Sequence, residues 1–368
     1  MAEGGGSSTI ASVAALAGVG VGTVSRVLND STAVSGSTRM RVLEAIEALD
    51  YEPSAAARAL STGRTSAIGV LAPFFTEPAS VERLRGVTRR LASSGYQVTL
   101  FDVERPEQGD AALRSLAVKG RVDGLLVVSL PPTGAQLERL RSAGVPVVLV
   151  DRRLEGATAV FTDDEAGGRL ATEHLLRLGH ERIAFVGDTE NGPFGFTSSE
   201  ARRRGYEAAL REAGIAAHPE YLRRGPHRRD AARAAANELL ALAVPPTAIF
   251  AASDHQALGV LEAATMAGVD VPERLSVIGF DDVELARYCG LTTVAQPLEA
   301  SGARGAELLL EALAGGDPRS QELRLELQVR STTASPAGTI TNAVERPPMR
   351  TRLLNGMMRE RKRFEGER

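Results

Sequence analysis

Between residues 10 and 49, apolar side chains recur every three or four positions in three short runs, the spacing that lays one stripe along a helix. Ile10, Val13, Ala14, Leu16 and Ala17 form the first stripe, Val24, Val27 and Leu28 the second, and Met40, Val42, Leu43, Ile46 and Leu49 the third. Gly18 suits a left-handed turn between the first two runs, and Ser35 suits the N-cap of the third. Three helices around a small shared core are predicted.

From Ser66 the period changes. β-rich runs at 67–71, 97–101, 124–128, 145–150, 182–186, 248–251 and 276–280 alternate with helical stretches at 81–94, 134–143, 167–178, 200–213, 229–242 and 255–267. Helices of that length fit crossovers between parallel strands, so the pattern predicts an α/β fold with two doubly wound lobes. Ligands of such sheets sit beyond the carboxyl ends of the strands, which makes a cleft between two facing lobes the expected binding site.

The chain has 368 residues, 43% hydrophobic and 24% charged, which is globular composition with room for more than one core. Lys and Arg number 43 against 46 Asp and Glu, so bulk charge does not grip nucleic acid and any DNA contact must be local. Cys289 is the single cysteine, which excludes an intrachain disulfide and a cysteine-rich zinc site. The start, Met-Ala-Glu-Gly-Gly-Gly, lacks a basic patch followed by an apolar core, and no apolar run has spanning length. The expectation is a cytoplasmic protein that makes no membrane contact.

Gly18-Val-Gly-Val-Gly22 superficially matches part of a dinucleotide-binding loop, but such a loop follows a buried strand, and residues 10–17 have helical periodicity. The competing reading is a helix-turn-helix, with an Ala-rich first helix, a Gly turn and a second helix able to enter a major groove. Thr23-Val-Ser-Arg-Val-Leu-Asn29, then Val34-Ser and Tyr51-Glu-Pro, resemble the LacI/GalR family of transcription regulators. The likeness continues in order through Leu178-Gly-His-Glu-Arg, Arg202-Arg-Arg-Gly-Tyr206, Ala252-Ser-Asp-His-Gln-Ala-Leu-Gly259, Val277-Ile-Gly-Phe-Asp-Asp282 and Leu291-Thr-Thr-Val-Ala-Gln296.

The resemblance implies a flexible leader (1–8), a helix-turn-helix head (9–52), a hinge helix with linker (53–64), and a core (65–338) resembling a periplasmic sugar-binding protein. One lobe would comprise 65–160 with 295–322 and the other 161–294 with 323–338; beyond the resemblance, 339–368 is rich in Arg and Pro and reads as a disordered tail, with a tetramerising helix through Leu353, Leu354, Met357 and Met358 as the alternative. It further implies that Val21, Gly22 and Arg26 face the bases. Arg26 donates two hydrogen bonds to a guanine, or else contacts a phosphate or pairs on the helix surface. Thr23, Ser25, Thr9, Ser35 and Arg39 suit phosphate anchoring, with simple capping as the alternative for the hydroxyls. Gly20 replaces the usual N-cap hydroxyl. Ser54, Ala57 and Leu60 fall in the hinge helix, with Leu60 as a minor-groove wedge or a core residue. A homodimer on a palindromic operator follows.

For the cleft, the resemblance implies effector contacts from Phe74, Phe75, Asp151, Arg202, Asp254 and Gln296, a set suited to a polyol. The alternative for Arg202 and Asp254 is a pair holding the lobes together, and for each Phe a core role. His227 stands where relatives carry a large aromatic. It suits either an exposed basic loop with Arg228 and Arg229, or a sugar derivative bearing a carboxylate or phosphate. The five histidines lack metal-ligand spacing, and no nucleophile elbow, P-loop or His-Glu-x-x-His occurs, so neither a cofactor nor catalysis is expected. The rival reading is a carbohydrate-binding protein whose head no longer binds DNA. Residues 1–64 carry five arginines against six acidic residues, so the head is not a hidden basic domain.

Overall fold

The computed structural model describes residues 8–51, 64–118, 120–190 and 192–337. The hinge positions Ser54, Ala57 and Leu60 and the tail lie outside the described residues. The head holds α1 (Ile10–Ala17), α2 (Val21–Leu28) and α3 (Gly36–Ala48). Val13, Ala14, Ala17, Val24, Val27, Val42, Ala45 and Tyr51 make its core. Gly18 takes φ 63°, where a side chain is disfavoured, and its N–H closes α1. The chain then turns through 103° into α2.

The remainder builds two six-stranded sheets. The first contains β1 (Ala67–Pro73), β2 (Gln97–Val103), β3 (Gly124–Val128), β4 (Val147–Val150), β5 (Thr158–Phe161) and β11 (Ser320–Glu322), in the order β11-β5-β4-β3-β1-β2, all parallel. The second contains β6 (Ile183–Asp188), β7 (Leu222–Gly225), β8 (Ala248–Ala251), β9 (Ser276–Asp281), β10 (Thr292–Ala295) and β12 (Glu326–Gln328), in the order β12-β10-β9-β8-β6-β7, with only β12 antiparallel. Both have the doubly wound order, with a switch point beside the first strand of each lobe. The chain passes between lobes after β5, after β10 and between β11 and β12.

The crossovers are α4 (Pro78–Leu91), α5 (Pro106–Leu116), α6 (Gly134–Ser142), α7 (Asp164–Arg177), α8 (Ser198–Glu212), α9 (Arg229–Leu240) and α10 (Asp254–Met266), followed by α11 (Glu284–Tyr288) and α12 (Leu298–Leu313). Five strands and three helices were absent from the periodicity reading. β5, β7, β10, β11 and β12 have only three or four residues, and, unlike the equally short β4 and β8 with their unbroken apolar runs, each includes polar residues or glycine, while α5 is polar with Pro106 and Gly109 in its sequence. α11 has five residues, and α12 buries much of its surface and so shows no clean apolar stripe.

Two helix pairs place the cleft residues. A Cβ on Gly86 would lie 1.9 Å from the Glu299 carbonyl oxygen, and one on Gly302 1.9 Å from that of Arg83, so α4 and α12 touch backbone to backbone. Likewise a Cβ on Gly168 would lie 2.0 Å from the Arg202 oxygen, and one on Gly205 2.0 Å from that of Glu165, joining α7 to α8. These approaches set Arg83 beside the inter-lobe crossing and Arg202 beside the first turn of α7.

Candidate functional sites in the head and the interlobe cleft

α2 divides by face. Val24 and Val27 are buried, while Val21, Gly22 and Arg26 are exposed and Thr23 and Ser25 half-buried. The Arg26 guanidinium makes no hydrogen bond or ion pair among the described residues. Gly20 starts α2 without a side-chain cap. Thr9 instead forms a reciprocal capping box with Ser12, and Ser35 Oγ accepts from the Thr38 N–H at 3.3 Å. Arg39 departs from the expected free phosphate anchor: Nη1 binds Asp30 at 2.6 Å and Nη2 donates to the Ser31 carbonyl at 2.7 Å, so its donors already brace the α2–α3 loop.

At the carboxyl ends of the strands the backbone is unusual. Phe74, Ser129, Asp151 and Asp281 follow or end β1, β3, β4 and β9 with φ of 45°, 55°, 69° and 118°. Non-glycine residues reach this region at a cost that concentrates at functional sites.

A chain of polar side chains joins the two walls. Ser129 Oγ donates to Asp151 Oδ2 at 2.7 Å, and Arg83 Nη2 meets Asp151 Oδ1 at 2.7 Å and Gln296 Oε1 at 3.2 Å. Gln296 Oε1 also accepts from Thr162, and its Nε2 donates to Asp281 Oδ1 at 2.6 Å. Arg202 lies over the Phe280 ring, 3.7 Å from its centroid, donates to Asp164 at 2.8 Å and to the Ala252 carbonyl at 2.6 Å, and comes within 3.9 Å of Asp281. Burial pushes the Asp164 and Asp281 carboxyls up, although Arg202 opposes it at both. Three carboxylates thus face two guanidiniums, and the Arg83 Nε is buried without a partner among the described residues.

Asp151, Arg202 and Gln296 therefore meet as expected by motif, with Arg83, Asp164 and Asp281 added. These three escaped sequence reasoning for different reasons. Arg83 lies inside an amphipathic helix, Asp164 reads as a first-turn acid, and Asp281 stands in a motif that carries the family likeness but names no ligand contact. Gln296 differs from a simple ligand contact, because its amide already links both walls.

Asp254 is a correction. It is fully buried, with Oδ1 accepting from Thr293 at 2.6 Å and Oδ2 from the Val283 N–H at 2.9 Å, and burial drives its carboxyl well above the usual range. It ties α10 to β10 and α11 instead of lining the cleft. It does not pair with Arg202 either, whose partner is Asp164.

Around the rim, Phe74 packs edge-on against Phe194 at 5.1 Å, and Phe194 stacks on Phe196 at 5.2 Å. Phe75 is half-buried, and its N–H donates to Asp102. His227 Nδ1 lies 2.9 Å from Asp188 Oδ1. Burial opposes its protonation, but Asp188, with Asp281 and Glu77 behind it, raises its pKa above the ordinary imidazole value.

An exposed reading helix on a compact head, with two doubly wound lobes around a polar cleft, defines a ligand-responsive DNA-binding regulator. Residues 9–54 match the model for bacterial regulatory proteins of the lacI family, and 172–333 match the periplasmic binding protein-like domain. The HTH-type transcriptional repressor PurR of Haemophilus influenzae (strain PittEE) is 35% identical over 320 residues, covering 86% of this chain and 94% of that protein. A complex of the transcriptional regulator CelR with cellobiose is similar at 34% identity and a TM-score of 0.66, over 88% of this chain and 99% of that one. The lac repressor dimer bound to operator and the anti-inducer ONPF aligns at a TM-score of 0.77 and 29% identity, over 89% and 100% of the two chains. The chain belongs to the LacI/GalR family, and it is a DNA-binding transcriptional repressor controlled by an effector.

Proposed function

We propose that the chain acts as a homodimer on a palindromic operator, with Arg26 reading a guanine, Val21 packing on a thymine methyl, and Thr23 and Ser25 anchoring phosphates. The observation that carries this reading is the exposed face of α2, where Arg26 has no partner among the described residues while Val24 and Val27 are committed to the core. Thr9 and Ser35 cap helices and offer their N-termini to phosphates; Arg39 acts through the loop that it braces. Ser54, Ala57 and Leu60 are assigned to the hinge contact in the minor groove. A dimer is supported by the structure of the lac repressor dimer on its operator, and a cytoplasmic, non-catalytic role by the relatives' repressor names.

The effector is a neutral sugar or related polyol bound between Phe74, Phe75, Asp151, Arg202, Asp281 and Asp164. Three carboxylates against two guanidiniums supply mostly acceptors for hydroxyl donors, and the unpartnered Arg83 Nε supplies a donor for one ligand oxygen. This favours a neutral ligand over an anionic derivative, since the His227 imidazole is already used by Asp188. The cellobiose bound to CelR belongs to the same chemical class. Footprinting of the full chain on the DNA upstream of its own coding region, with and without a panel of neutral and phosphorylated sugars, tests both halves. A protected palindrome that responds to a neutral sugar supports the reading, and protection that only phosphorylated sugars alter refutes the effector assignment.

A further inference from the structure

Away from the crossing strands, the two lobes meet through side chains. Besides the Phe74–Phe194 contact, Arg152 Nη1 donates to Thr197 Oγ1 at 2.6 Å, and Glu77 Oε2 lies 2.9 Å from His255 Nδ1. Glu77 is the N-cap residue of α4, the helix that carries Arg83, whereas His255 stands in the first turn of α10 in the second lobe. Their contact therefore exists only when the lobes are close.

The second lobe supports this contact from behind. The His227 ring packs edge-on to His255 at 6.0 Å, and the Asp188 carboxylate holds both His227 Nδ1 and Gln256 Nε2 at 2.9 Å. Asp188–His227–His255–Glu77 thus runs as carboxylate, imidazole, imidazole, carboxylate across the mouth of the cleft. His255 Nδ1 bonds to Glu77 and not to Glu262, Arg228, Arg229 or Arg233, which line the shallow basin on its other side. Glu262 is already held by Arg229 and Arg233, and Arg228 by Asp230. The hydrogen bond from His255, with the charge of His227 nearby, holds the Glu77 carboxyl below its ordinary range.

We propose that Glu77 and His255 form a latch that sets the separation of the lobes, with the Asp188–His227 pair as its backstop, and that both act as positioning residues for the effector switch without touching the effector. The step from latch to switch rests on the reading of the cleft as the effector site; the latch itself does not. An equilibrium between open and closed lobes responds to any contact made in one state only, and ligand affinity changes with the population of the competent state.

The test measures lobe separation directly and needs no ligand. Spin labels at V118C in the first lobe and M266C in the second, both at exposed positions, are introduced with C289S into the full chain and diluted with unlabelled chain. Pulsed dipolar spectroscopy then gives the interlobe distance distribution. E77Q and H255Q each shift or broaden the distribution towards longer distances, and the exchanged pair E77H/H255E restores the short one. Unchanged distributions in both single variants overturn the latch. Absent DNA or sugar binding in the parent chain would count against the proposed function and leave the distance result standing.

Discussion

Arg83 and Asp151 meet at 2.7 Å in the inner wall of the cleft, with their side chains only 6% and 14% exposed. One comes from the crossover helix of the first strand, the other from the turn after the fourth, so the pair fixes that helix against the carboxyl end of β4. Removing one partner of a buried pair leaves an uncompensated charge, at a cost of about 3–5 kcal/mol. Arg83→Met is expected to lower stability by about 3 kcal/mol in urea unfolding, and Arg83→Met with Asp151→Asn by less. A loss in the double variant equal to the sum of the losses in Arg83→Met and Asp151→Asn alone would show that the pair is not coupled.

The second lobe carries a pH limit. His174 is buried, bonds to Thr333 Oγ1 at 2.9 Å, and is pushed down to about 4, first by burial and then by the charges of Arg177 and His180. His180, also lowered by burial, holds Thr247, Ser276 and the Ala334 carbonyl. Burial makes both rings harder to protonate in the folded chain than in the unfolded chain, which binds protons below about pH 6.5. The contribution of these two rings is therefore level above that pH and falls below it, by up to about 1.4 kcal/mol per pH unit for His174 down to about pH 4. Urea midpoints at pH 7, 6 and 5 check the slope, and His174→Gln is expected to flatten it.

In the head, Arg26 is without a partner among the described residues whereas Arg39 is held by Asp30 and Ser31. Arg26→Ala is expected to weaken operator binding by about 1–3 kcal/mol and to relax selectivity at one base pair. Arg39→Ala instead removes the brace to Asp30 and Ser31, lowering the head's thermal stability with no loss of base preference. Selection of binding sites from a random pool with each variant distinguishes the two outcomes.

The same head predicts a shallow dependence on salt. Its five arginines are outnumbered by acidic residues, and Arg39 is paired within the head. Because affinity falls with salt by about 0.9 log units per phosphate neutralised per log unit of salt, few side-chain cations mean a small slope. Anisotropy titrations across a range of potassium chloride concentrations give that slope directly.

Much of this architecture was legible in the pattern of the chain. The helices of the head, seven strands that read as β-rich runs and six crossover helices follow from period and length. Short strands such as Leu222–Gly225 and Ser320–Glu322 were not legible, because three or four residues at a sheet edge carry no alternation. The cleft was half legible. Motif assigned Asp151, Arg202 and Gln296 to the cleft, and the structure brings these three into one polar cluster, but motif position does not reveal which carboxylate of Asp254 and Asp281 faces inward. That is decided by Thr293 and the Val283 N–H, which use both Asp254 oxygens. The interlobe pair Glu77–His255 joins residues distant in sequence, and although His255 lies in the Ala252–Gly259 motif, nothing in that motif points to Glu77.

The proposed function requires sequence-selective DNA binding at Arg26 to be coupled to a neutral polyol in the cleft. The most direct measurement is operator affinity of the full-length protein with and without each sugar, in the wild type and in Asp281→Asn. At least one neutral sugar is expected to change wild-type affinity by about tenfold or more, a coupling of about 1.4 kcal/mol, and Asp281→Asn to abolish the response while binding operator alone. Specific operator binding that no neutral sugar alters, or a full response that survives Asp281→Asn, would contradict the account.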